Sequence, residues 1–153
     1  HCDYYQEFEK EKIVWQEMSD LPNFAYDIRK FYTNQTVYII TGQDLKYILG
    51  ILNSKFSDKY INMIAYSLGS GAKRWIKQYV EQLPLPPITP QNQHIVQQIE
   101  ELVNQILNLT QSDDYETNPA KQNQVKELEK QIDQLVYQLY NLTEEEIKII
   151  EGK

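Results

Sequence analysis

The sequence predicts an α+β chain in which a mixed strand–helix segment, residues 1–90, precedes an antiparallel, coiled-coil-like helical hairpin, residues 91–153. Three observations predict it. Strand-like and helix-like periods alternate in the first half. A proline-rich run, Leu83-Pro84-Leu85-Pro86-Pro87-Ile88-Thr89-Pro90, then interrupts the chain, and only helical periods follow it. Four prolines within Pro84–Pro90 exclude helix and central strand and leave a stiff, extended connector over 83–90.

In the first half, Lys12–Trp15 predicts a short strand, because Ile13, Val14 and Trp15 are good strand formers. Phe24–Tyr26 predicts a second and Thr36–Ile40 a third, closed by Thr41-Gly42. The period then switches. Leu45, Ile48, Leu49 and Leu52 fall at i, i+3, i+4 and i+7, which predicts a helix over Gln43–Asn53. A second helix is expected over Lys55–Ala65, with Phe56, Tyr60 and Ile64 on one side. Ser67–Ala72 reads as a loop, and Arg74–Val80 as a strand leading to the connector.

In the second half, Ile95, Ile99, Leu102, Ile106 and Leu109 form one seam. Val125, Leu128, Ile132, Leu135, Leu139 and Leu142 form another. Spacings alternating between three and four are those of coiled-coil seams. The expected helices are about 92–110, 119–142 and 143–151. Asn118-Pro119 marks a turn and a helix start, and Thr143-Glu-Glu-Glu146 a capping box. Two helices cannot bury two seams alone. The hairpin must pack on the mixed segment, on another copy or on a further part of the protein.

The net charge of −7 is unevenly placed. Residues 1–90 hold 10 Lys/Arg and 10 Asp/Glu, a net of 0; residues 91–153 hold 5 and 12, a net of −7. Neither half is a simple basic nucleic-acid binder, so any DNA contact requires local clustering. The single cysteine, Cys2, rules out a disulfide within the chain. There is no long apolar run and no signal-peptide pattern, so a cytoplasmic protein without membrane contact is expected. His1 in place of methionine reads as a fragment or a processed chain.

Catalytic constellations are not apparent. Gly69 and Gly71 follow a helix rather than a first strand, unlike a cofactor loop. Pro22-Asn23-Phe24 only echoes the Asn/Asp-Pro-Pro-aromatic tetrapeptide of amino-methyltransferases. Glu146 and Lys148 have a nuclease-like spacing on what reads as a solvated helix face. His1, His94 and Cys2 give no zinc spacing, and Asp113-Asp114 reads as a loop acid pair. Binding is the better class of function.

One ordered set of short motifs remains: Lys12-Ile-Val-Trp15, Phe24-Ala-Tyr26, Tyr38-Ile-Ile40, Leu52-Asn53-Ser54-Lys55, Leu83-Pro84-Leu85-Pro86-Pro87 and Gln93-His-Ile-Val96. In this order, with helices after them, they resemble the TaqI-like C-terminal specificity domain. That domain occurs in type IIG restriction enzymes and adenine-specific DNA methyltransferases, and is similar to half of a type I restriction specificity subunit. The resemblance implies a target-recognition domain for double-stranded DNA followed by spacer helices. It implies that these helices dock on a methyltransferase domain or pair with a second copy. It places N6-adenine methylation with S-adenosylmethionine, and Mg2+ for any cleavage, in other domains. The competing reading is a protein–protein assembly module acting through the seams.

The resemblance does not fix the base-reading residues, so these follow from residue chemistry. The first candidate is the small-residue loop with a basic end: Ser70, Gly71, Lys73, Arg74 and Lys77. There the lysines would meet phosphate and Arg74 a guanine edge. The second is Tyr26–Tyr32, carrying Arg29, Lys30 and Tyr32. Its plainer alternative is a core Tyr26 and Phe31 with solvated charges. Trp15 and Trp75 are expected in the core, and Asn53-Ser54 at a helix end.

Overall fold

A computed structural model describes residues 5–33, 36–64 and 73–153, with backbone only for Lys73 and Arg74. After a 3-10 turn, Tyr5–Glu9, strand β1 (Lys12–Gln16) forms the middle of a three-stranded antiparallel sheet. Strands β3 (Ala25–Asp27) and β4 (Val37–Ile40) flank it. A two-stranded arm pairs β2 (Met18–Ser19) with β5 (Lys73–Arg74), past the end of β1. The alternation of β1 is decided by its two faces. Ile13 and Trp15 enter the core, where Trp15 packs against Phe24 and Tyr38.

Helix α1 (Leu45–Leu52) is the centre of the molecule. The spacing of its leucines predicts one buried face, yet Leu45, Tyr47, Leu49, Gly50, Ile51 and Leu52 are all buried. The reason is its neighbours: α1 meets β1 and β3, and also α2 (Lys55–Ile64), α4 (Gln93–Thr110) and α5 (Pro119–Leu139). Gly50 permits the closest of these contacts. A Cβ there would stand 2.6 Å from the Ile99 Cγ2 methyl and 3.2 Å from that of Val103. The hairpin therefore packs on the mixed segment, and one hydrophobic core runs from Ile13 to Leu139.

Most predicted elements are present with boundaries shifted by a residue or two. One differs in kind. Arg74–Val80 is not a strand: β5 ends at Arg74, and Lys77–Val80 is the short helix α3. Trp75 ends the pairing. Its indole N–H donates to the Ser19 carbonyl at 3.1 Å, while its own carbonyl accepts from the Trp15 indole at 2.6 Å. With Trp75 held in the core, the chain turns at Ile76, whose carbonyl accepts from the amides of Tyr79 and Val80.

The connector is extended as expected, and tyrosines hold it. The Tyr140 hydroxyl donates to the Pro84 carbonyl at 2.6 Å, and the Tyr47 hydroxyl to that of Pro86 at 2.9 Å. In the hairpin the burial is deepest at Val96, Ile99 and Val103 of α4 and at Val125, Val136 and Tyr137 of α5. Three of these valines lie outside the predicted seams. The apolar stripe is widened because each helix faces α1 as well as its partner. Helix α5 starts at Pro119, with Asn118 accepting from the amides of Ala120 and Lys121. It stops at Leu139, earlier than predicted. Asn141 takes a positive φ of 51°, and the Leu142 amide returns to the Tyr137 carbonyl at 3.0 Å. Helix α6 (Glu144–Glu151) opens with the predicted capping box of Thr143 and Glu146. Among the described residues, no helix is long and apolar enough to cross a membrane.

The Gly50 contact gives a direct test. Gly50→Ala gains about 1 kcal/mol of helix propensity. It also overpacks the α1–α4 contact, at a cost of about 1–3 kcal/mol, because the stiff, fully buried Ile99 cannot swing away. Urea unfolding should show Gly50→Ala destabilised, and Gly50→Val more so. A midpoint unchanged or raised in both variants would contradict the close approach.

Candidate nucleic-acid interface

The site starts from a charge buried beneath it. Lys12 and Asp27 stand opposite each other on β1 and β3, so their side chains share one face of the sheet. Their charged atoms are 2.7 Å apart, at 0% and 7% side-chain exposure. Lys12 also donates to the Phe8 carbonyl at 2.7 Å, which brings the 3-10 turn over the pair. The second role of Asp27 is local. Its two carboxylate oxygens accept from the amides of Arg29 at 2.8 Å and Phe31 at 3.0 Å. Lys30, between them, takes a left-handed conformation with φ 61°. An ionised Asp side chain thus shapes the start of loop 28–33.

This loop is the most exposed apolar and basic feature at that end of the sheet. Ile28, Arg29, Lys30, Phe31 and Tyr32 are all exposed, with Phe31 at 59% and Tyr32 at 65%. Phe31 is therefore not a core residue, which removes the plainer reading of this segment for that position. Tyr26 is half-buried and donates to Glu11 at 2.7 Å. Tyr32 stacks on Phe8 with ring centroids 5.3 Å apart. Acidic neighbours are engaged locally: Glu7 pairs with Lys10 and accepts from Thr41, and Glu9 accepts from Tyr32. Arg29 and Lys30 make no ion pair among the described residues.

The other candidate group lies elsewhere. Ser70 and Gly71 fall outside the described residues. Lys73 and Arg74 are on β5, whose backbone pairs with Ser19 and Met18. Lys77 is the first residue of α3, exposed and 3.3 Å from Glu81. Since β3 leaves β1 at Lys12, whereas β2 follows Gln16, the two groups flank opposite ends of β1. The intervening five-residue strand spans about 13 Å. The fold does not gather the sequence candidates into one patch.

Other motifs have structural roles. The Asn53 side chain accepts from the Phe24 amide at 3.1 Å and donates to the Phe24 carbonyl at 2.9 Å. The Ser54 hydroxyl donates to the Ile51 carbonyl at 2.6 Å and accepts from the Ser57 amide. The Lys55 amide donates to Asp133 at 2.9 Å, tying α2 to α5. Trp15 and Trp75 are buried, and His94 is exposed. Asp114 is held down to about 2 by Lys121 and then Asn118, which join the ends of the hairpin turn. Among the described residues, no cluster of His, Cys, Asp and Glu is arranged to hold a metal ion. Sequence reasoning missed Lys12 and Asp27; the one available signal was a lysine at the head of an otherwise apolar strand.

The charge on Asp27 has a predictable pH signature. Burial alone would raise its pKa, but Lys12 and the amides of Arg29 and Phe31 reverse this and hold it below the ordinary 3.8. A carboxyl lowered by folding contributes stability above its unfolded pKa, and that contribution disappears as pH falls through its folded pKa. At pH 7, Asp27→Asn should be less stable by up to about 3–5 kcal/mol, because Lys12 loses its counter-charge. The gap should persist down to about pH 4 and close in more acid solution. Urea unfolding across this range measures it; a gap independent of pH would contradict the ionised pair.

The family model of the TaqI-like C-terminal specificity domain matches residues 2–85, more than half of the 153-residue chain. The match takes in the sheet, α1 to α3 and both candidate groups, and it ends inside the connector; the helices from α4 onward lie outside it. The chain belongs to the family of TaqI-like C-terminal specificity domains, the DNA target-recognition modules of restriction-modification enzymes.

Proposed function

We propose that this chain reads its DNA target from the two ends of β1, with loop 28–33 as the principal reading element. The target would thereby be positioned for N6-adenine methylation, cleavage or both by domains outside this chain. The observation that carries the reading is the exposure of Arg29, Lys30, Phe31 and Tyr32 on a backbone fixed by Asp27. The guanidinium of Arg29 has the two-pronged geometry that matches a guanine edge. Lys30 suits phosphate, while Phe31 offers an apolar face of the kind that meets a thymine methyl. Lys73, Arg74 and Lys77 form the second contact. An exposed pair such as Lys77–Glu81 holds little energy, so phosphate can replace Glu81. The separation along β1 corresponds to about four base-pair steps.

S-adenosylmethionine, and Mg2+ where cleavage occurs, would be used by the catalytic domains. No residue of this chain is assigned to either. The acidic hairpin is proposed to face away from DNA and to contact the methyltransferase domain of the same protein or a second copy. A shallow groove between Leu102 and Leu135, edged by Gln98, Gln105, Gln131 and Gln134, favours a polar protein contact there.

Electrophoretic shifts over a series of salt concentrations test the reading, using a duplex selected from a random pool and one lacking the selected site. Arg29→Ala should relax target choice by about 1–3 kcal/mol. Lys30→Ala should weaken both duplexes alike and reduce the salt slope by about 1. Lys73→Ala with Arg74→Ala should weaken binding from the other end of β1. Unchanged affinity, target choice and salt slope in all of these would sink the assignment.

A further inference from the structure

We infer that the buried Lys12–Asp27 pair is a positioning element that sets how sharply the chain discriminates its DNA target, an inference resting on the proposed reading of loop 28–33. Lys12 is fully buried and Asp27 exposes only 7% of its side chain, with both of its oxygens already engaged, so neither is placed to read DNA directly. Their effect must pass through backbone geometry.

That geometry is unusually dependent on a few bonds. Strand β3 has only three residues and, among the described residues, pairs with β1 alone. It is gripped at both ends by side chains from other elements. The Asn53 carboxamide makes both hydrogen bonds to the Phe24 backbone, before the strand. Lys12 holds Asp27 at its end. Asp27 then passes this constraint onward to the amides of Arg29 and Phe31. Lys30 is kept in its left-handed conformation between two amides bound by one carboxylate. The chain of restraint therefore runs from the core strand β1, through Lys12 and Asp27, to the residues proposed to meet bases.

A buried ion pair is a poor means of stabilising a fold. An apolar pair of similar volume commonly does as well or better. What it supplies here is direction: a carboxylate held so that both of its oxygens face the loop. Two-pronged base contacts tolerate displacements of only about 0.5 Å before they weaken. A lysine on a flexible stem follows a phosphate over a much wider range. Loosening the loop should therefore cost target discrimination and leave general affinity for DNA nearly intact.

The test uses the full chain carrying Lys12→Met with Asp27→Leu. This double substitution removes both charges without leaving one buried alone. Asp27→Asn, which keeps one acceptor oxygen at the same size, is the second variant. Amide hydrogen exchange follows Arg29 and Phe31, and electrophoretic shifts compare the selected duplex with one lacking the site. In the folded double variant the two amides should exchange about tenfold faster or more, because their shared acceptor is gone. The ratio of affinities for the two duplexes should fall by about tenfold or more. Affinity for the duplex lacking the site should stay within about twofold, since the phosphate contacts remain. Asp27→Asn, read at a temperature where it is folded despite its unpaired Lys12, should show a smaller loss of the same kind, so a double variant that does not fold still leaves a readable case. A folded variant that keeps its full affinity ratio while the amides exchange faster overturns the inference, and so do amides that stay protected. Arg29→Ala in the otherwise unaltered chain separates the two ideas. If it leaves target choice unchanged, the reading of the loop has failed. If it relaxes target choice and the pair variants do not, only the positioning role has failed.

Discussion

Helix α1 has to be covered on nearly every side, and the rest of the fold follows from that requirement. Six of its eight residues are buried, and the sheet alone offers only one covering surface. The opposite side is closed by Ile99, Val103 and Ile132, which approach the helix at Gly50 where no side chain intervenes. The helical hairpin is thus a structural wall of the recognition fold. The connector between them is correspondingly fixed. Its proline carbonyls, which have no strand partner, are met by hydroxyls from Tyr47 on α1 and from Tyr140 just past α5. Part of the high tyrosine content is explained in this way: the ring joins the core while the hydroxyl reaches backbone oxygen.

Such a wall frees the other side of the sheet to present loops. The same division appears in the charges. The segment through Pro90 is neutral in sum, yet Lys12 is withdrawn into the interior and several acids are tied up locally, leaving Arg29 and Lys30 facing solvent. The negative excess belongs to residues 91–153. On the proposed reading, the acidic helices repel DNA while the neutral segment does not, so the charge asymmetry orients approach and the affinity comes from local basic residues.

Much of this was legible in the sequence because it is local. The leucine spacing of α1, the Asn118-Pro119 helix start and the Thr143–Glu146 capping box are short-range patterns, and each recurs in the structure. The parts that were not legible depend on long-range register. Nothing near Gly50 announces that Ile99 will lie 2.6 Å from where its Cβ would be. Lys12 and Asp27 become partners only through the pairing of β1 with β3. The segment after Arg74 is rich in strand formers, Trp75, Ile76, Tyr79 and Val80, but Trp75 is held in the core by Trp15 and Ser19, and the chain turns into α3. Of the proposed reading residues, Arg29, Lys30 and Tyr32 were visible as a basic and aromatic cluster; the exposure of Phe31 required the loop geometry set by Asp27.

Where DNA meets the chain is measured most directly by an amide hydrogen-exchange footprint of the full chain with and without its selected duplex. DNA bound at the two ends of β1 should slow exchange in residues 28–33 and 73–77 and leave the outer turns of α4 and α5 unchanged. Slowed exchange centred on the hairpin, with loop 28–33 unaffected, would contradict this placement.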